Sequence, residues 1–430
     1  PVPQFNLRGN EIALQAAREG MVLLKNDGAL LPLSRERART IALIGPNAHP
    51  AVVLGGGSAT IPTYYTVSAL QGIAHLAGPN ATVHHVRGIP SFGKITLDTK
   101  FTTAPGDGIA GIIAEVFSSK EMVGPPVSSR VDQHISLGAP LDMAALARDD
   151  AALDPPPYAG PAGPMATRWS GYYTAQRSGT HDFVVQQGGF NEAGFRLYID
   201  GTLVADRWKL APAVVEPVPV PLDSGVHKVM FEHHAIAGFS SPVLRLGIVR
   251  RGEWVNPAAV AAARSADVVV LAVGFDAQSE TENWDRTFRL PPGQDELVSA
   301  ISAANPRTIV VINAGGAVDM NDWIDRVPAV LHAWYPGQEG GTALAELLFG
   351  VANPSGHLPA TFERRWEDNP AFASYYPDSG SNQIHYREGL FVGYRGFEQR
   401  GIAPRFPFGH GLSYTTFRFT NLAVRPVEGS

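Results

Sequence analysis

The chain has 430 residues, with 34 Lys and Arg against 40 Asp and Glu, a net charge of −6 and only 17% charged residues, a balance that suits neither nucleic acid nor an anionic membrane. That length holds two or three domains with cores of their own, and no apolar run approaches the roughly 18 residues that span a bilayer. The absence of cysteine excludes disulfides, thiolate metal sites and a cysteine nucleophile together.

The chain opens at Pro1 without a Met and without a signal-like leader, as a processed or excised piece would. From Glu11 to Asn26, EIALQAAREGMVLLKN places apolar residues at helical spacing, so a helix is expected there, followed by a turn and LLPL. Ile41 to Ala48 reads as a buried strand ending in Gly45-Pro46-Asn47. Gly55 to Ser58 then form a glycine-rich loop backed by Tyr64 and Tyr65. It matches neither GxGxxG nor a P-loop, so a phosphate cradle is not expected. Val83 to Val86 ends this α/β block.

From about Ser91 to Arg250 short alternating runs replace the α/β pattern. Ala104 to Ser128 and Ala151 to Pro164 are rich in Gly and Pro and read as linkers or long loops. Arg168 to Gly179, His181 to Val185 and Val226 to His234 read as strands. Phe195 to Asp206 alternates on both sides of Asp200-Gly201, the signal of a type I′ hairpin. An all-β sandwich is expected. Trp208 and Phe239 fall in loops from which a ring could reach a pocket, although packing is the commoner role. His84-His85 and His233-His234 are adjacent pairs whose side chains point to opposite strand faces, and no HExxH pattern offers zinc.

The α/β pattern resumes at Asn256. Helices are expected over Ala258 to Ala266, Asp295 to Ala304 and Thr342 to Phe349, and strands over Val268 to Val273, Thr308 to Asn313 and Ala329 to Trp334. Four strands end in Gly and polar residues, which makes a doubly wound, mostly parallel sheet with one ligand edge the simplest account. Beyond Gly274 that edge carries Glu280, Glu282 and Asp285 beside Trp284 and Arg286. Such a set suits sugar chemistry: an acid to protonate a leaving oxygen and an aromatic face to stack on a pyranose. Helix capping does not explain these acids, because Pro291 and Pro292 separate them from the next helix. Glu280 faces the same side as Glu282 if the loop is extended. Glu339, within YPGQEGG, reads as structural, and Ser413 in GHGLS lacks the spacing of a nucleophile elbow.

The run Glu282-Asn283-Trp284-Asp285-Arg286, with Leu290-Pro291 behind it, resembles the acid/base loop of family 3 glycoside hydrolases, with Asn283 and Trp284 where Gly and Tyr are common. The Ala-rich helix leading to LLKN and LLPL, then Tyr335 to Gly341 and NPSGHLPATF, are similar to motifs of the same family's second domain. YREGLFVGYRGF and RFPFGHGLSYTTF resemble its closing segment, which leads into a fibronectin type III-like domain. Trp169-Ser170-Gly171-Tyr172 and RLYIDG resemble a PA14 domain, a module inserted in some of these enzymes. The resemblance implies an α/β sandwich whose first part, with a linker helix, spans 1–95. A PA14-like insert would follow over 96–250, the second α/β part over 251–412, and the start of a fibronectin III-like domain or a tail over 413–430.

It also implies a retaining β-glucosidase in which Glu282 is the general acid/base, with Glu280 as second choice. Ser58, Tyr65, Trp284, Arg286 and Trp208 would lie near the substrate, and no metal or cofactor is expected. The Asp nucleophile would sit on an N-terminal (β/α)8 barrel that this chain lacks; within the chain Asp276 and Asp285 are available, and nothing favours either. β-Glucosides are the implied substrates, with β-xylosides and β-N-acetylglucosaminides as alternatives, and a secreted location is implied. The Ala-, Arg-, Gly- and Pro-rich composition resembles actinobacterial relatives that remove glucose from macrolides. The competing expectation is a carbohydrate-binding or adhesion module, for which a tuned acid is unnecessary.

Overall fold

The computed structural model of the chain describes residues 6–106, 108–137, 164–188, 190–209, 216–237, 243–280, 282 and 286–424. The α/β part is a six-stranded sheet in the order Val22–Asn26, Ala329–His332, Thr308–Asn313, Val268–Gly274, Thr40–Ile44, Thr82–Val86. Neighbours pair in parallel except at the Val22–Asn26 edge, which is antiparallel. Val268–Gly274 and Thr308–Asn313 are buried throughout, because helices cover both faces. On one face Leu271, Val273, Val310 and Ile312 meet Ala263, Leu297 and Ile301 of the helices Pro257–Ser265 and Gln294–Ala304. On the other Val270, Ala272, Ile309 and Val311 meet Ile73 and Leu344 of Ala69–Ala77 and Gly340–Leu348. This is the doubly wound α/β sandwich expected from the sequence, and among the described residues there is no (β/α)8 barrel.

Several local expectations change. The helix expected from Glu11 to Asn26 runs over Leu7–Gly20 instead, and LLKN belongs to the strand Val22–Asn26. Val22, Leu23 and Leu24 are almost wholly buried, which a helix lying on a surface could not achieve for three consecutive residues. A strand between two covered faces achieves it readily. The helix Ala69–Ala77 was not anticipated, although Ser68 and Gln71 form a reciprocal capping box at its start. Nor was Phe92–Asp98, capped by Ser91. The Gly- and Pro-rich stretch Ala104 to Ser128 contains the strand Ile112–Phe117, paired on both sides.

The β part is a seven-stranded and a four-stranded antiparallel sheet among the described residues. They close on a core that includes Trp169, Phe183, Phe195 and Phe231, with the Phe195 and Phe231 rings stacked 5.6 Å apart. The hairpin forms as expected: Asp200 and Gly201 have φ of 51° and 82° between the paired residues Ile199 and Thr202. The four-stranded sheet lies against the α/β part. Ile95 fills the space above Gly247, Asp182 accepts from Arg251 at 2.7 Å and from the Trp254 indole at 3.2 Å, and Gln186 donates to Gln278 at 3.2 Å. Residues 415–424, within the stretch expected to be the start of a fibronectin III-like domain or a tail, form no regular element. No helix among the described residues is long and apolar enough to cross a membrane.

Candidate active site

The parallel strands end together, and side-chain amides lash their exits to one another. Asn47, just beyond Thr40–Ile44, donates to the Phe275 carbonyl at 3.1 Å. Asn313 closes its own strand and donates to the Trp334 carbonyl at 2.9 Å. Gln294, buried at the first position of its helix, grips Gly274 twice: its Oε1 accepts the Gly274 N–H at 2.7 Å and its Nε2 donates to the Gly274 carbonyl at 2.9 Å. Gly274 itself sits at φ 126° with the Asn313 backbone where a Cβ would stand, so only glycine fits this exit. The acidic loop therefore leaves the sheet from a rigid platform.

The loop is not extended. Asp276 starts a tight turn in which its carbonyl accepts the Glu280 N–H at 2.8 Å and its carboxylate takes the Ser279 hydroxyl at 2.8 Å. That turn separates the two glutamates that an extended loop would have pointed the same way. Glu280 faces inward and is saturated. Its Oε1 accepts from Arg286 Nε at 2.9 Å, and its Oε2 accepts from the Tyr335 hydroxyl at 2.6 Å and the Gly315 N–H at 3.0 Å. Burial, reinforced by the Glu280 charge, pushes the Tyr335 phenol far up, so it stays a donor.

Glu282 faces outward and is exposed. Its Oε2 accepts the Ser58 N–H at 2.6 Å, and its Cβ lies where a side chain on Gly57 would have to go, 2.4 Å from that position. Hydrogen bonds from the Ser58 side chain and backbone hold its carboxyl below the usual glutamate range. The glycine-rich loop thus meets the acidic loop.

The remaining expected site residues divide. Arg286 is held by the protein: besides Glu280 it donates to the Thr287 and Ala317 carbonyls at 3.0 and 2.8 Å and lies 4.7 Å from the centre of the Phe275 ring. Tyr65 is drawn away. Its hydroxyl serves Asn10 at 2.8 Å and also Glu339, which in turn accepts from Thr342 at 2.7 Å at the start of Gly340–Leu348. Trp208 is held within the β part, where Arg196 and the His234 ring each lie 4.5 Å from its ring. Trp284, Asp285 and Phe239 lie outside the described residues. Among the described residues no cluster of acids and histidines could hold a metal.

Gln294, Asn313, Gly315 and Tyr335 were not singled out from the sequence. A recognisable signal was Asn313-Ala-Gly-Gly at a strand end, where glycines let a carboxylate approach the backbone. A further acid near the site carries a pH signature. Asp295 accepts from the Trp323 indole at 3.1 Å and from Arg289 at 3.3 Å, and burial raises its carboxyl from 3.8 to about 6. The folded state therefore binds the proton more tightly than the unfolded chain. This group opposes folding by up to ~3 kcal/mol above pH 6, and that cost disappears as the pH falls through 6 towards 4. Asp295→Asn should flatten the stability profile between pH 4 and 6 in urea melts; an unchanged profile would refute the raised value.

The Glycosyl hydrolase family 3 C-terminal domain matches residues 21–414. "Probable beta-glucosidase J" of Aspergillus fumigatus is 36% identical over 450 residues, covering 96% of this chain and 49% of that protein. "Beta-glucosidase" of Rhizobium radiobacter is 36% identical over 430 residues, covering 94% and 48%. Among solved structures, DesR, a β-glucosidase from Streptomyces venezuelae in complex with D-glucose, superposes with a TM-score of 0.63 at 30% identity, over 97% of this chain and 46% of that one. The β-glucosidase from Kluyveromyces marxianus in complex with glucose gives 0.57 at 27% identity, over 97% and 50%. The chain spans about half the length of the curated relatives it matches.

Proposed function

The chain belongs to glycosyl hydrolase family 3 through its C-terminal domain, and on that premise we propose that it supplies the acid/base half of a retaining β-glucosidase. Glu282 protonates the glycosidic oxygen as the aglycone leaves, then takes a proton from the water that attacks the glycosyl-enzyme. The nucleophile is an Asp on an N-terminal (β/α)8 barrel outside this chain, about 5 to 5.5 Å from Glu282 in the assembled site. The observation that carries this reading is the contrast between the two glutamates. Glu280 spends both oxygens on protein donors, whereas Glu282 is exposed and, among the described residues, is held by Ser58.

The electrostatics divide the work between the two halves. Ser58 favours the ionised form of Glu282, which is the form needed to activate water in the second step. The first step needs a protonated acid near neutral pH. Covering by the barrel and the charge of the nucleophile both push in that direction. The β sandwich, with its RLYIDG hairpin and its placement against the acid loop, supports a PA14-like module occupying 96–250. The α/β parts are then 1–95 and 251–412, with a tail or further domain from 413. Secretion and a macrolide-type glucoside as natural substrate belong to the same reading.

The test is hydrolysis of p-nitrophenyl β-D-glucoside by this chain alone and by the complete protein that carries it. Turnover is expected only from the complete protein. Turnover by this chain alone, at a comparable rate, would place the nucleophile within it. Binding of glucosides without any turnover by the complete protein would replace the enzyme reading with that of a binding module.

A further inference from the structure

Where the four-stranded sheet of the β part meets the sheet edge of the α/β part, a cavity of about 450 Å³ opens, within the size range of small-molecule sites. Arg245, on the strand Val243–Arg250, lines it while only 6% exposed. Its Nη1 donates to Gln186 Oε1 at 3.0 Å, and Gln186 Nε2 donates in turn to Gln278 Oε1 at 3.2 Å. These contacts fix the guanidinium to the start of the acid loop without neutralising it. Among the described residues no carboxylate forms an ion pair with Arg245, and burial alone pulls its pKa down. A guanidinium has five N–H donors, and a buried one is ordinarily matched to an anion.

Arg87, Asn47, Ser91, Ser279 and Gln294 line the same space. Asp276 lines it too, but its carboxylate already accepts the Gln278 N–H at 3.0 Å and the Ser279 hydroxyl at 2.8 Å. We propose that this cavity binds an oxyanion, a carboxylate or a phosphate group, with Arg245 as its charged anchor; Gln294, Asn47 and Ser279 shape the space while their amides and hydroxyl are held by Gly274, Phe275 and Asp276. The anion has two possible sources: a free ion acting on the loop through Gln278, or an acidic aglycone of a glucoside. Only the second rests on the glycosidase reading.

The experiment is calorimetric titration of the chain with inorganic phosphate, with p-carboxyphenyl β-D-glucoside and with neutral phenyl β-D-glucoside, repeated on Arg245→Met and Arg245→Lys. At least a tenfold loss of anion binding is expected in Arg245→Met, with part retained in Arg245→Lys. Phosphate binding with no preference between the glucosides identifies a free ion as the ligand. A tenfold preference for the carboxylated glucoside, lost in Arg245→Met, identifies an acidic aglycone. The proposal falls if the wild-type chain binds neither anion, or if folded Arg245→Met binds them as well as wild type. The wild-type arm decides even if the Met variant does not fold. Because the readout is binding rather than turnover, failure of the glycosidase assignment would leave the phosphate result standing.

Discussion

Glu282→Gln, made in the complete protein, should lower kcat/KM for alkyl β-glucosides by about 10²- to 10⁴-fold, the range that general acid catalysis contributes. The size of the loss should depend on the leaving group. An alkoxide needs a proton to depart, whereas a dinitrophenolate does not. Across a series of aryl and alkyl glucosides the deficit should therefore shrink as the aglycone becomes more acidic. For the most activated substrates the second step becomes limiting, and there Glu282→Ala opens room for a small anion. Exogenous azide should then restore turnover and yield β-glucosyl azide, because azide attacks without needing a base. Full activity of Glu282→Gln, or a deficit independent of the leaving group, would remove Glu282 from the acid/base role. The fold should tolerate either change, since Glu282 is exposed and, among the described residues, Ser58 is its hydrogen-bond partner.

The parts of this molecule that were readable in the sequence share one property: their conformation is dictated locally. Val268 to Val273 and Thr308 to Asn313 are so uniformly apolar that only a strand covered on both faces accommodates them, and Asp200-Gly201 carries its turn type in two residues. LLKN is ambiguous, because a short apolar run fits either a helix or a buried strand. The choice is made by Ala329–His332, about 300 residues later, which supplies the hydrogen bonds. The strand Ile112–Phe117 was hidden among glycines and prolines that describe its flanks rather than itself. The capping box at Ser68 and Gln71 is by contrast a local signal, and it marks the start of Ala69–Ala77.

The site divides along the same line. The acidic run and the glycine-rich loop were both legible as candidate chemistry, and Ser58 does meet Glu282. What the sequence could not separate was the two glutamates, since their difference lies in partners brought from other strand ends. Gly315 and Tyr335 are 35 and 55 residues from Glu280. Trp208 is a candidate as a loop aromatic, and Tyr65 through the resemblance of its glycine-rich loop. Their rings and hydroxyls are engaged by Arg196, His234, Asn10 and Glu339, and no periodicity encodes such engagements.

The two glutamates should also separate in stability, and in the opposite sense to catalysis. Glu280→Ala leaves the Arg286 guanidinium, the Tyr335 hydroxyl and the Gly315 N–H without their acceptor, in a place where Arg286 and Glu280 are only 16% and 17% exposed. Leaving a largely buried charge and two donors unpaired costs about 3 to 5 kcal/mol. Glu282→Ala, at an exposed turn, should leave the stability close to that of the unaltered protein. Chemical denaturation of the two variants measures this directly. Glu280→Ala should lose activity as well, because the loop that carries Glu282 loses its anchor. That loss should not depend on the leaving group and should not respond to azide, since the acid itself is intact and only its position is disturbed. If Glu280→Ala proved as stable as the unaltered protein and its activity returned with azide, the roles would exchange: Glu280 would be the proton donor and Glu282 the residue that merely closes the loop onto Ser58.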